Sequence, residues 1–410
     1  CGETKKEILH QLGHEWEIVD TDKAPTCTEV GYAEKDECKT CHETRLVGEI
    51  EALGHDYVNG ICTRCGNSLV TEGLVYTING DKKSYSCSGI GTATATEIYI
   101  AAEYNGLPVT AIGSNAFKNC SAIISVNIPN SVTMIGLRAF HGCSNLTSIT
   151  IPDSLTNIDT EAFACCNALS DIFITDIAKW CAISGLDFIM RDQTAKIKNF
   201  YVNNVLLTDL RIPFGTTSIP FFAFMGCNSI TSVDISNGVK SIGSYAFAGC
   251  DNLTSITIPD SVTWIYSYAF VGCSNLASIT IPSSVASIGE DAFSGCDKLS
   301  DIFITDIAKW CEIPDLLGLM GCGAKDKKIY VNYEILTELA IPEDVASIGN
   351  YAFKGCSTIV SVTILGDETS IGRYAFQGCS SLDSIIIGGS LTAIGDSAFK
   401  ECGKLANIYI

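Results

Sequence analysis

The sequence predicts a repeat solenoid, a stack of short coils sharing one continuous core, with a small cysteine-rich module in front of it. Three observations carry that prediction. An Ala-Phe pair is followed three residues later by cysteine ten times, at Phe117/Cys120, Phe140/Cys143, Phe163/Cys166, Phe224/Cys227, Phe247/Cys250, Phe270/Cys273, Phe293/Cys296, Phe353/Cys356, Phe376/Cys379 and Phe399/Cys402, with a usual step of 23 residues. A fixed period in that range marks coils that cover one another's apolar faces. The coils run into an Ile-x-Ile alternation, whose period of two puts the isoleucines inside and the intervening residues in solvent. Finally, 410 residues exceed what one globular core organises, a ceiling that a core growing in one dimension escapes.

Residues 1–68 read as a separate module, holding four of the five histidines and both Cys-x-x-Cys pairs without the Ala-Phe signature. Leu53-Gly54-His55 behind Cys41 echoes Leu12-Gly13-His14 behind Cys1, so the module opens inside a truncated first copy. Cys38 and Cys41, then Cys62 and Cys65, have the spacing of a four-thiolate zinc site with each pair on a knuckle turn. So few aliphatic residues cannot build a self-sufficient core, and a metal clip would supply much of the folding free energy. Two disulfides are the alternative for an exported chain, and Cys27 and His55 are substitute ligands to weigh. A closed four-thiolate site has no open position, which makes the zinc structural.

The solenoid takes residues 69–410, beginning with a cap at 69–105. Glu72–Gly80 and Tyr85 read as strand, Asn-Gly turn and strand, which shields the first coil's apolar face and strand edge. In the coil around Phe270, Val262 and Ile265 open the turn, Ala269, Phe270 and Cys273 point inward, and Leu276, Ile279 and Ile281 lead into a strand that Pro282 ends. Aligned strand ends give thirteen rungs, at Ile100, Ile128, Ile151, Ile174, Ile212, Ile235, Ile258, Ile281, Ile304, Ile341, Ile364, Ile387 and Ile410. Two coils, 174–212 and 304–341, are enlarged. Each replaces the Phe turn with Asp-Ile-Ala-Lys-Trp-Cys, a short helix N-capped by Asp176 or Asp306, with Trp180 and Trp310 filling the larger interior. Phe200–Val205 and Ile329–Glu334 read as hairpins projecting from the stack. The ladder cysteines read as buried free thiols, because side chains in one column point the same way and not at each other.

A formal charge of -20 and a pI near 4.6 argue against nucleic acid and anionic lipid, both of which call for Lys and Arg stripes. No apolar run approaches the roughly 20 residues of a membrane helix, so no membrane insertion is expected. Opening at Cys1 and stopping on a strand at Ile410, the sequence reads as a piece of a longer polypeptide.

The Ile-Gly-x-x-Ala-Phe-x-x-Cys-x-x-Leu-x-x-Ile-x-Ile-Pro pattern, the cap and the Trp-Cys insertion resemble the BspA-like leucine-rich repeat proteins of bacterial surfaces, over residues 72–410. The resemblance implies a curved leucine-rich repeat stack with a parallel β-sheet face. It also implies exposure on cells and adhesion to host matrix proteins or other cells, and it brings no catalytic residues. The N-terminal module is similar, more loosely, to zinc-ribbon-like repeats.

The outward strand positions are mostly Ser and Thr. Departures gather at the enlarged coils, making Asp171, Phe173, Asp209, Arg211, Asp234, Asp301, Phe303 and Glu338 the candidate binding residues. On the thirteen-rung alignment Asp171 neighbours Asp209 and Asp301 neighbours Glu338, carboxylates that repel unless water, a cation or a basic partner relieves them. A solvated acidic patch is the plain reading, and an aromatic and acidic contact site the sharper one. Paired carboxylates also suggest a retaining glycosidase, but a flat strand face offers no means of raising one pKa. His141 is the solenoid's single histidine, which weighs against a His-based nucleophile. The sequence therefore points to a non-enzymatic, cell-surface or secreted protein that binds a protein or glycoprotein. A passive spacer in an envelope protein is the alternative.

Overall fold

The computed structural model describes residues 15–27, 29, 31–39, 42–47, 49, 51–52, 57–58, 61–62, 64, 69–190 and 198–410. The chain divides into two compact units, 1–71 and 72–410. In the first, strands Trp16–Lys23, Tyr32–Cys38 and Thr44–Val47 form an antiparallel sheet in that order. The Arg45 guanidinium lies 4.4 Å from the Trp16 ring and 2.9 Å from the buried Asp36 carboxylate. A polar framework of this kind holds a sheet that has little apolar area to bury. Tyr57–Val58 and Ile61–Cys62 make a second, two-stranded hairpin.

The second unit is a solenoid with two parallel sheet faces. On one, the expected Ile-x-Ile segments pair in register from coil to coil, as Ser125, Ser148 and Asp171 do, and then Ser278 and Asp301. On the other, two-residue strands such as Ser218–Ile219, Ser241–Ile242, Trp264–Ile265 and Ser287–Ile288 stack in parallel. Both faces aim their isoleucines into one contiguous core that runs from Leu74 to Ala398. The cap is a hairpin, Val75–Ile78 with Tyr85–Gly89, whose second strand pairs in parallel with Leu107–Ile112 and so founds the second face.

All thirteen expected strands are present, and each enlarged coil adds one that the alignment missed. Asn199–Val202 pairs in parallel with Asp171–Ile174, and Lys328–Val331 with Asp301–Ile304. The expected hairpins are therefore only half projecting. Their first strands are rungs with Phe200 and Ile329 fully buried, and only the turns and returning strands, Val205–Leu206 and Glu334–Ile335, face solvent. Pairing antiparallel, each returning strand ends a run of parallel sheet. The second face breaks at the same coils.

Inside, the phenylalanines form stacked columns with ring centroids 5.0 to 5.7 Å apart within each block. Each ladder thiol that follows a Phe turn donates to the Phe carbonyl of the coil before, as Cys143 does to Phe117 at 3.0 Å and Cys273 to Phe247 at 3.2 Å. Free thiols and not disulfides fill the column. A Phe N–H likewise donates to the next coil's Ala carbonyl, Phe247 to Ala269 for example. Ala223 and Ala352 follow an enlarged coil and have no such Phe before them. The indole N–H groups of Trp180 and Trp310 take over, at 3.0 and 2.9 Å. Leaving a buried carbonyl unpaired costs about 1–3 kcal/mol, which explains why the insertion uses tryptophan. Asp176 and Asp306 cap their helices, Ile177–Cys181 and Ile307–Glu312, each accepting from the lysine N–H three residues on.

The residue two before each Phe sits in the left-handed region, and at none of the ten positions is it glycine: Asn115, Arg138, Glu161, Phe222, Tyr245, Tyr268, Asp291, Tyr351, Tyr374 and Ser397. Such a backbone costs roughly 1–2 kcal/mol per residue. Buried Ala and Phe side chains immediately afterwards offset it.

Candidate binding surface

The extra rungs rearrange the predicted site. Asp171 does not neighbour Asp209, nor Asp301 Glu338. The register partner of Asp171 is Asn199, whose Nδ2 donates to its carboxylate at 2.7 Å, and the partner of Asp301 is the exposed Lys328. Each acid thus has an amide or an ammonium beside it where a second carboxylate was expected. The paired-carboxylate arrangement that hydrolysis would need is absent from these positions. Asp209 begins the next run of sheet, where the Ser232 and Thr208 hydroxyls donate to it and hold its carboxyl below the usual range. Arg211 and Asp234 are exposed register partners in that run, and Glu338 is exposed opposite Ser361.

The aromatic half of the site is larger than expected. Phe173 stacks on Tyr201 at 4.5 Å and 12°, and Phe303 on Tyr330 at 4.6 Å and 19°. Tyr333, at the turn of the second hairpin and 84% exposed, stands 6.0 Å from Phe303. Phe303 and Tyr333 wall an open depression floored by Ser255, Ile256, Ser278, Ile279 and Thr280. The first hairpin turns at Asn203-Asn204 and lacks an aromatic at the matching place. Tyr201, Tyr330, Asn199 and Lys328 were missed because Asn-Phe-Tyr-Val and Lys-Ile-Tyr-Val lack the Ile-x-Ile ending. Their period-two alternation was the available signal.

A lysine enters the core at each extra rung. Lys198, only 1% exposed, donates from Nζ to the Leu169 carbonyl, and Lys327, equally buried, to those of Cys322 and Ala324. Burial lowers Lys198 to about 8 and lowers Lys327 as well. Lys327 bridges Cys356 on the next coil, so a lysine precedes a thiol that has no Phe carbonyl before it.

Of the four predicted metal ligands, Cys38 is buried at the end of its strand. Its carbonyl accepts from His42 N–H at 2.9 Å in the turn that follows. Cys41 and Cys65 lie outside the described residues, as does the side chain of Cys62.

The two-faced stack and its consensus turn define a leucine-rich repeat protein. The BspA type leucine rich repeat region matches residues 108–182, 195–312 and 326–410 in six copies, and the chain belongs to that family. Among solved structures, a leucine-rich repeat protein from Bacteroides ovatus is 22% identical over 83% of this chain and 93% of that one, with a TM-score of 0.48. A leucine rich cell surface protein from Faecalibacterium prausnitzii is 25% identical over 83% and 87%, with a TM-score of 0.37. The pneumococcal vaccine antigen PcpA is 16% identical over 73% and 93%, with a TM-score of 0.35. No curated protein matches the chain. Among the described residues no helix is long and apolar enough to cross a membrane.

Proposed function

We propose that this chain is a non-enzymatic adhesive module, displayed at a bacterial surface or secreted, that grips a protein or glycoprotein through its long-strand face. The observation that carries the reading is the Phe303, Tyr330 and Tyr333 cluster beside a hydroxyl-rich floor. Rigid aromatics order at small entropic cost and dominate binding energy when a partner dries them, while surrounding hydroxyls accommodate polar groups. Family membership supports the surface location. The acidic charge supports a neutral or basic partner. The test is binding of the whole chain to immobilised extracellular-matrix glycoproteins and to whole cells. Phe303→Ala with Tyr333→Ala is expected to weaken capture by roughly tenfold or more and to leave the unfolding midpoint unchanged. Capture that survives both substitutions rejects the site, and a chain that captures nothing is a spacer. The proposal includes a structural zinc on Cys38, Cys41, Cys62 and Cys65, supported by the buried Cys38 and the tight turn behind it.

A further inference from the structure

A second aromatic stack runs along the turn edge, at the left-handed positions two residues before the core phenylalanines. Tyr245 lies between Phe222 and Tyr268, with ring centroids 4.9 Å apart on both sides and planes 4° and 11° from parallel. The later block carries a shorter stack, Tyr351 and Tyr374, at 5.2 Å and 18°, which stops at Ser397 where this one continues to Tyr268. That later pair is already covered by the protein's own cations. Arg373 sits 5.3 Å from the Tyr374 ring and donates to the Tyr351 hydroxyl at 3.2 Å, while Lys354 sits 5.4 Å from the Tyr351 ring.

Arg373 stands three residues before its core Phe, and Lys354 one residue after its own. At the same places around Tyr245 and Tyr268 stand Ser267 and Ala248. Among the described residues no cation lies over either ring. Glu290 and Asp291 are close instead. The charge of Glu290, then burial, then the charge of Asp291 raise the Tyr268 phenol above its ordinary value. Neither carboxylate makes an ion pair among the described residues. The face of Tyr268 turned away from the stack, beside carboxylates that make no ion pair among the described residues, attracts a cation from outside.

We propose that the Tyr245–Tyr268 stack, with Glu290 and Asp291, docks an arginine side chain presented by a partner protein. Arginine fits better than lysine. Its planar guanidinium can stack on a ring while its N–H groups reach a neighbouring phenol, as Arg373 does with Tyr374 and Tyr351, and its remaining N–H groups suit carboxylates. A chain with a formal charge of -20 adds long-range attraction for a basic segment. This edge is distinct from the long-strand face, so its failure would leave the adhesive reading in place.

The probe is a dye-labelled acetyl-(Gly-Arg)3-amide peptide, followed by fluorescence anisotropy at low and moderate salt, with its citrulline counterpart as the uncharged isostere. The arginine peptide is expected to bind roughly tenfold more tightly than the citrulline peptide. Ser267→Arg, which copies the internal Arg373 arrangement, should abolish that preference by filling the site. Tyr268→Ser, which copies Ser397 of the later block, gives an independent loss if the first variant folds poorly. Equal binding of the two peptides overturns the proposal. So does an arginine preference untouched by either substitution, since net charge alone would then hold the peptide.

Discussion

Mild alkali is expected to destabilise this solenoid, because folding holds its thiols protonated. Burial pushes Cys87, Cys181, Cys250 and Cys311 up to about 12 from an ordinary 9.0, and Cys227 and Cys379 upward as well. Above pH 9 the unfolded chain sheds those protons while the folded chain keeps them. Stability is therefore fully present below pH 9 and is lost as pH rises toward 12. Between pH 8 and 10 each such thiol contributes about 1.4 kcal/mol to the loss, whatever its folded value beyond about 11. The four thiols near 12 together remove about 5.5 kcal/mol. Lys198 works the other way. Lowered from 10.5 to about 8, it binds fewer protons folded than unfolded and returns about 2 kcal/mol over the same range. The thiols win. The assay is urea unfolding at pH 8, 9 and 10 under a phosphine reductant, read by tryptophan fluorescence and circular dichroism. Cys250→Ala should lose about 1.4 kcal/mol less than the parent between pH 8 and 10. A midpoint that holds or rises over that range, or an unchanged slope in Cys250→Ala, would refute the reasoning.

Phe270→Ala opens a cavity between two stacked rings and should cost about 3–5 kcal/mol in urea melts; a loss under about 1 kcal/mol contradicts its place in the column. Trp180→Phe keeps a ring but deprives the Ala223 carbonyl of its donor, for a loss of about 1–3 kcal/mol. Stability equal to the parent's would show that the indole N–H is dispensable. Metal analysis of protein purified under reducing conditions should find one zinc per chain, lost on Cys38→Ser. Absence of stoichiometric zinc ends that proposal.

The coil itself was legible because its signals are redundant. Ala269, Phe270, Cys273, Leu276 and Ile279 repeat at fixed offsets, and each offset is explained by a buried contact or an intercoil hydrogen bond. The helix caps Asp176 and Asp306 and the interior tryptophans were legible for the same reason, since one local motif occurs twice. The candidate site was only half readable. Asp171, Phe173, Asp301 and Phe303 were found by their departure from the hydroxyl columns, but their neighbours depend on register across the enlarged coils. There the spacing stops being periodic, and a 38-residue interval reads as one long coil although it holds a rung and a hairpin. Lys198 and Lys327 were illegible because a charged residue inside the core contradicts the pattern that defines the core. The Tyr245–Tyr268 stack was hidden too, because those residues fall at a turn, outside the strand columns.

The left-handed turn residues carry a consequence for how such a chain diversifies. Ten coils impose one backbone conformation there, yet asparagine, arginine, glutamate, phenylalanine, tyrosine, aspartate and serine all occupy it. The repeat thus dictates the path of the main chain and leaves the choice of side chain open. Point mutations along that rim can sample new chemistry while the interior keeps its packing, and a lineage built on this scaffold can alter what it recognises without relearning how to fold.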